Sequence, residues 1–594
     1  VSFHVDGVYI FNSIAASSAF IDVAQIEVLR GPQGTTFGQG STGGTINVVS
    51  KQPSLTDFGG ALSVGVGNYG MMKGDMALNV PVGQFAIRGA VQYQKHDGYA
   101  TATGTPGTSD YELDNQDELG WKLAALWQPT DNFSITLTTI QNQSDTHGPA
   151  QRNILDPSPD PRVLTQDYPG RSIVDTELYY GVVKLDTSFA VIKSITSYQK
   201  LYSAQSWDGD GLTGNLFERN VLSGYKPAIG TSPERLGSKY DHVALWKMET
   251  ESWTQEVNLA SNGSGPLSWI VGGVYLWSKN PQYIVEYRSA TGNPYAAPLP
   301  VDTPYNSALV PTVTYAELSE ITREAYAGYF EASFDITDAL TLTGGIRYNH
   351  DEYSGVSDSN SSGPTLTSGA YLQPRVSPGL TTEEWTGKAA IDFKITPNNM
   401  VYLSYTRGFK PGGLNSSASG AAPQVLGFTN GIRPTYKPEI VNSLEIGSKN
   451  MFANGTAKLN LSAFYYDYQN MQFLDEDAIL FGEGTANAPG AEIYGLEIEG
   501  SWKPTPNWIL EGSLAFTHGK FTKDFLALDP AAAVLAQNAA GYYGTGEFFA
   551  NFYAASLARD SARANINGNE VPKIPEVQGT VSVAYVNQVG PGEL

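Results

Sequence analysis

The chain has 594 residues, with 63 glycines, 34 tyrosines, 24 phenylalanines, no cysteine and only 16% charged residues. A chain of that length needs several domains or one very large β architecture, and this composition favours the second. Without cysteine there are no disulfides or thiolate sites; a formal charge of −23 argues against nucleic acid, because such a surface repels phosphates.

No apolar run reaches the roughly eighteen residues of a membrane helix, so any membrane contact has to come from strands. The chain opens on Val1 with neither an initiator Met nor a signal-like segment and stops at "NQVGPGEL", just after a strand-like run. It therefore reads as a fragment lacking both ends.

Residues 1–54 hold short strand-like pieces, "FHVDGVYI", "QIEVLRG" and "TINVVSK", joined by glycine turns. Within them Gly38, Gly40 and Gly43 spell G-x-G-x-x-G. That spacing cradles a dinucleotide only when a helix follows, with its N-terminus aimed at the pyrophosphate. Here "TINVVSK" follows, β-branched and alternating, and no Lys-Ser or Lys-Thr completes a P-loop. The glycines serve tight turns and close backbone packing instead.

From about residue 59 one pattern takes over. Phe85, Ile87, Val91 and Tyr93 share one parity, while Ala86, Arg88, Gln92 and Gln94 share the other. Leu340, Leu342, Ile346 and Tyr348 alternate with Thr341, Thr343, Arg347 and Asn349 in the same way, as do Trp508, Leu510, Leu514 and Phe516 with Glu511, Ser513 and Thr517. These are long strands with one apolar face, of the length a tilted strand needs to cross a bilayer. Tight turns close the strand pairs on one side, at 81–84, 129–132, 336–339, 396–399 and 504–507. Long Pro-, Gly- and Asn-rich stretches, read as irregular, join them on the other, at 144–177, 203–247, 281–323, 354–383, 411–439 and 520–575. Short turns at one rim and long loops at the other are the layout of an outer-membrane barrel, here with about eighteen strands. Trp127, Trp269, Trp502 and Trp508 stand beside the short turns, where a lower aromatic girdle belongs, and Trp253 and Trp277 nearer the loops. A large secreted β-propeller or β-helix with these aromatics in its core is the other reading; a propeller predicts a repeat near 40 to 50 residues, and none is found.

The chain resembles the TonB-dependent outer-membrane receptors. The plug signature of that family is carried by "VDGVYI", by "DVAQIEVLRGPQG" (22–34) and by "FGQGSTGGTINVVSK" (37–51), which place its motif at Asp6, Gly7, Glu27, Arg30, Gly31, Pro32, Gly34, Gly38, Gly43, Gly44 and Asn47. Gln25 stands where a basic residue is frequent, and Gln39-Gly40 where Arg-Asn is. The barrel blocks "LTLTGGIRYNHDEY", "YLSYTRGFKPGGLN", "YKPEIVNSLEIGSKN" and "IYGLEIEGSW" follow in the family's order.

The resemblance implies an all-β transmembrane antiparallel barrel with an N-terminal plug in its lumen. Residues 1–54 would be the C-terminal part of the plug and 55–594 the barrel, with a TonB box and the first plug half upstream and about four strands downstream. It implies a receptor of the Gram-negative outer membrane, energised by the TonB-ExbB-ExbD complex and importing a scarce ligand, by family default a ferric siderophore. Oligosaccharides, cobalamin, haem and small aromatic nutrients stay open as ligands. A passive porin is the rival of another class, and the first 54 residues count against it.

Alternation also points Glu445 and Glu497, with Glu499, into the lumen, opposite the lipid-facing Leu444, Ile446, Leu496 and Ile498. Inward carboxylates need cations, and Arg30 is the expected partner, so Arg30, Glu445 and Glu497 are expected to form an ionic latch between plug and barrel. No catalytic set, cofactor or metal site is expected: there is no G-x-S-x-G elbow, and His4, His96, His147, His242, His350 and His518 are scattered. "DGDG" at 208–211 reads as an acidic turn rather than a Ca²⁺ loop. The loop aromatics Tyr202, Trp207, Phe217, Tyr225, Tyr283 and Tyr287 are candidates for stacking on a ligand.

Overall fold

The computed structural model describes the chain apart from residues 36–37, 39, 104–110, 153–155, 157, 167, 209–240, 290–312, 362–376, 416–432, 477–482, 540–556, 559, 590–591 and 594. Phe217, Tyr225 and most of the "DGDG" turn lie outside the described residues, as does the side chain of Tyr287.

The first element is a small sheet of β1 (Ser2–Val5), β2 (Val8–Tyr9), β3 (Val23–Arg30) and β4 (Gly44–Ser50), in the order β2-β1-β4-β3. β1 runs parallel to β4, and β3 antiparallel to it. Asp6 and Gly7 make the turn between β1 and β2, both at positive φ. A 3-10 turn, Ser13–Ala19, connects onward, capped by the Asn12 carboxamide on the Ile14 amide.

Eighteen strands then follow in ring order. They are β5 (Gly59–Val66), β6 (Met72–Val82), β7 (Phe85–His96), β8 (Gln116–Thr130), β9 (Phe133–Thr146), β10 (Arg171–Asp186), β11 (Ala190–Asp208), β12 (Asp241–Ser261) and β13 (Leu267–Ser289). The ring continues through β14 (Val313–Thr337), β15 (Leu340–Ser361), β16 (Gly379–Thr396), β17 (Asn399–Lys410), β18 (Glu439–Phe452), β19 (Ala457–Glu476), β20 (Glu483–Thr505), β21 (Trp508–Phe521) and β22 (Val577–Tyr585). Each pairs antiparallel with its neighbour in sequence, an up-and-down meander whose ring order closes with β22 beside β5. A continuous register runs from β5 to β22; between β22 and β5 no register is formed among the described residues.

Period-two patterning sets which face is wet. Phe85, Ile87, Val91, Leu342, Ile346, Leu444, Ile446, Leu496 and Ile498 all point outward and are exposed, whereas Arg347, Asn349 and Asp351 on the opposite parity are buried. An exposed apolar outer wall around a polar interior is the arrangement of a bilayer-spanning barrel. Near the short turns Phe85 stacks on Trp127, and Trp508 meets Tyr585, forming part of an aromatic girdle.

All five tight turns read from the sequence join consecutive strands. The long loops differ from expectation: β12 begins at Asp241, β13 reaches Ser289, β14 starts at Val313 and β15 extends to Ser361, all within the stretches that the sequence marks as irregular. Beyond the bilayer both faces of a strand are wet, so the backbone ladder continues without the apolar alternation that reveals it.

Candidate functional site

The small sheet lies inside the ring, because strands all around the barrel reach it. Arg88 on β7 makes a two-pronged contact with Asp22, Nε and Nη2 donating to its two carboxylate oxygens at 2.6 Å each. Lys122 on β8, its side chain wholly buried, stands 3.6 Å from the same carboxylate and donates to the Lys51 carbonyl at 2.7 Å. Tyr180 on β10 donates to Asp6, and Gln199 on β11 donates to the Tyr9 carbonyl at 2.7 Å. Across the lumen, Thr386 on β16 donates to the Gly34 carbonyl at 3.1 Å, and Thr42 donates to Glu439 on β18 at 2.9 Å.

On β20 the Arg30 guanidinium meets two carboxylates: Nη1 lies 2.5 Å from Glu497 and Nη2 2.6 Å from Glu499. Glu445 is not in this contact; it accepts from Tyr402 of the neighbouring strand at 2.5 Å. Glu497 and Glu499 are two residues apart on one strand and so share a face, which lets a single guanidinium fork across both. Burial works against the Arg30 charge, but Glu497 and Glu499 outweigh it and raise its pKa.

The other residues of the plug signature serve the sheet itself. The Gly7 amide donates to Asn47, whose Nδ2 donates to Glu27 at 2.8 Å. Gln25, the position where a basic residue is frequent, also donates to Glu27 at 2.6 Å. Asp6 accepts from the amide and hydroxyl of Ser50. Gly31 and Pro32 lie against Tyr466 and Gly408, Gly43 beside Val1, and Gly44 starts β4 at positive φ. Gly38 has a sharper reason. At φ +76° it sits over Arg347, and a Cβ there would fall 2.6 Å from a guanidinium nitrogen.

Arg347 is fully buried on β15, donating to Asn349 at 2.7 Å and reaching the Thr35 carbonyl at 3.5 Å, with its face toward the Tyr329 ring. It lines a cavity of about 520 Å³ between the small sheet and β9–β15, together with His4, Asp6, Lys193, Glu256 and Tyr329. Burial is the main reason that His4 is pushed down to about 4; a Gly7 backbone bond opposes this and Arg347 adds to it.

Sequence reading missed Asp22 with Arg88 and Lys122, although Arg88 stands on the polar parity of its strand. Of the loop aromatics, Tyr202 packs under the Lys247 ammonium at 5.2 Å.

A polar sheet pinned across the lumen of an apolar-walled barrel narrows the family, and the comparison of sequences decides it. Residues 136–592 match the model described as TonB dependent receptor-like, beta-barrel. The chain belongs to this receptor family. It is 24% identical to the pesticin receptor of Yersinia enterocolitica over 88% of this chain and 67% of that one. It is equally 24% identical to the catecholate siderophore receptor Fiu of Escherichia coli K12, over 88% and 68%. Among solved structures, the ferric yersiniabactin uptake receptor FyuA from Yersinia pestis superposes with a TM-score of 0.70 at 18% identity, covering all of this chain and 75% of that one. As a TonB-dependent receptor barrel the protein is integral to the outer membrane, and its family is one of transport receptors.

Proposed function

We propose that the receptor imports a ferric siderophore, with residues 1–54 as the C-terminal part of a plug and residues 55–594 as the barrel, and with TonB, driven by ExbB and ExbD, supplying the force that moves the plug. The relatives named above are receptors for siderophores or for pesticin. The observation that carries the reading is the sheet across the lumen: a passive porin needs an open channel, whereas here strands from β7 round to β20 hold the sheet by side-chain bonds. Contacts of that kind break without any covalent bond breaking, so a pull can shift the sheet against the wall while residues 51–58 keep it tethered to β5. Arg30 with Glu497 and Glu499 is the latch of this reading.

The test is uptake of ⁵⁵Fe by the full-length receptor, expressed in cells stripped of their own siderophore receptors and supplied with ferric catecholate or phenolate chelates. Saturable uptake that disappears when TonB is deleted is the expected result. Uptake unaffected by the TonB deletion would overturn energised transport in favour of a porin, and no uptake of any iron chelate would overturn the siderophore assignment.

A further inference from the structure

β21 and β22 pair in regular register from Trp508 opposite Tyr585 to Phe516 opposite Val577. Above that point the ladder is broken and resumed. Thr517 donates to the Glu576 carbonyl at 3.0 Å, and then Lys520 bridges Glu570 while Phe521 donates to the Asn569 carbonyl at 2.9 Å. Residues 572–575, "PKIP", are thrown out as a wide bulge opposite His518, with Lys573 at φ +65°. The two stems of the bulge are Glu570 and Glu576.

The bulge is fixed from the lumen side. Ile574 rests on Gly519, where a Cβ would come within 2.8 Å of it, and joins a packed cluster with Val571, Phe521 and Ile493. On the outer side His518 shares the parity of the exposed Phe516 and meets the Tyr494 ring at 5.4 Å. The ligand atoms of His518, Glu570 and Glu576 all lie within 4.8 Å of one another. The nearby cation, Lys520, is engaged with Glu492 at 3.0 Å. Neither glutamate side chain has an ion pair or hydrogen bond among the described residues.

Two carboxylates held together on a pinned scaffold repel one another until a cation joins them. We propose that His518, Glu570 and Glu576 form a divalent metal site at the outer rim of the barrel, for a cation of the Zn²⁺ class. One imidazole and two carboxylates are a three-ligand set that Zn²⁺ completes with water, while Ca²⁺ and Mg²⁺ prefer oxygen alone. Bonds of about 2.0–2.2 Å require the two exposed carboxylates to close in by side-chain rotation, which their freedom permits. The bound ion ties the long segment before β22 to the barrel wall. More than fifty residues of chain separate His518 from the two glutamates, so spacing could not reveal the set.

The experiment is a titration of the purified, chelator-stripped receptor in detergent with Zn²⁺, and with Co²⁺ as a visible-absorption probe. The expected result is one saturable equivalent whose affinity falls more than about tenfold in His518→Ala and in the Glu570→Gln, Glu576→Gln double variant, but not in His147→Ala. Heat-modifiable migration on gels checks that each variant is folded. Binding that survives both variants, or no saturable binding, would overturn the site; displacement by equimolar Ca²⁺ would overturn the class of cation.

Discussion

At the scale of single residues, the ion-pair sites at Asp22 and at Arg30 both hold the small sheet and differ in strength. Arg88 and Asp22 are nearly dry, with side chains 13% and 4% exposed, whereas Arg30 is 55% exposed and Glu499 42%. Removing one partner of a buried pair leaves a charge without compensation and costs about 3–5 kcal/mol. A wet pair contributes about 0–1 kcal/mol and is screened by salt. Arg88→Ala leaves Asp22 with Lys122 alone, 3.6 Å away, and so is expected to fall below the full cost of a broken buried pair yet still to speed amide hydrogen exchange in β3 and β4 by more than about tenfold, while Arg30→Ala changes it by less than about tenfold. Equal effects in the two variants would refute this ordering. Arg30 was the partner that alternation suggested, since a period of two shows which face a side chain takes. It does not show which partner an inward side chain takes, so it cannot separate Glu445, which Tyr402 claims, from Glu497, nor join Asp22 to Arg88. Buried in the small sheet, His4 carries a pH dependence. With its pKa lowered by burial to about 4, the folded protein resists a proton that the unfolded chain accepts near its ordinary value of about 6.5. The contribution is complete above that ordinary value and is lost as pH falls through about 4, a change of roughly 3 kcal/mol. Protection of β1 and β4 against exchange should weaken over that interval, and His4→Leu should flatten the slope.

At the scale of elements, the turn from Gly31 to Gly43 shows why the glycine spacing resembles a phosphate cradle and performs another task. Gly38 lets the backbone turn at positive φ directly above a buried guanidinium. Gly38→Val meets both obstacles at once: a β-branched residue at φ +76° is strained by about 1–3 kcal/mol, and its Cβ occupies the place of Arg347. The expected outcome is displacement of Arg347 from Tyr329 and easier proteolysis of residues 31–43, with the barrel unchanged; unaltered protection of that loop would sink the account. The strands were legible wherever one face is lipid and the other water. Their upper parts were not, because β14 runs 25 residues where roughly 9–11 span the bilayer. Past the membrane the hydrogen-bond ladder alone sustains the strand, and a ladder leaves no mark in side-chain pattern.

At the scale of the whole molecule, barrel and sheet are stabilised by different means, and this separates their responses. The barrel wall is a continuous antiparallel ladder from β5 to β22, and in lipid an unpaired backbone group costs several kcal/mol, so its strands let go only together. The sheet of residues 2–50 is short, four-stranded, and joined to the wall by the side-chain contacts described above and by the covalent link of residues 51–58. Urea competes well for such polar contacts and poorly for a lipid-embedded ladder. Rising urea should therefore open the sheet first: protease sites within residues 1–54 become cleavable while the barrel still migrates as the compact, heat-modifiable form. Coincident loss of both would mean that the sheet is an integral part of barrel stability, and an importer built that way could not release its plug without unfolding. The two-step outcome is the one energised transport requires, because a pull from the periplasm has to break the weaker set of contacts and leave the wall intact.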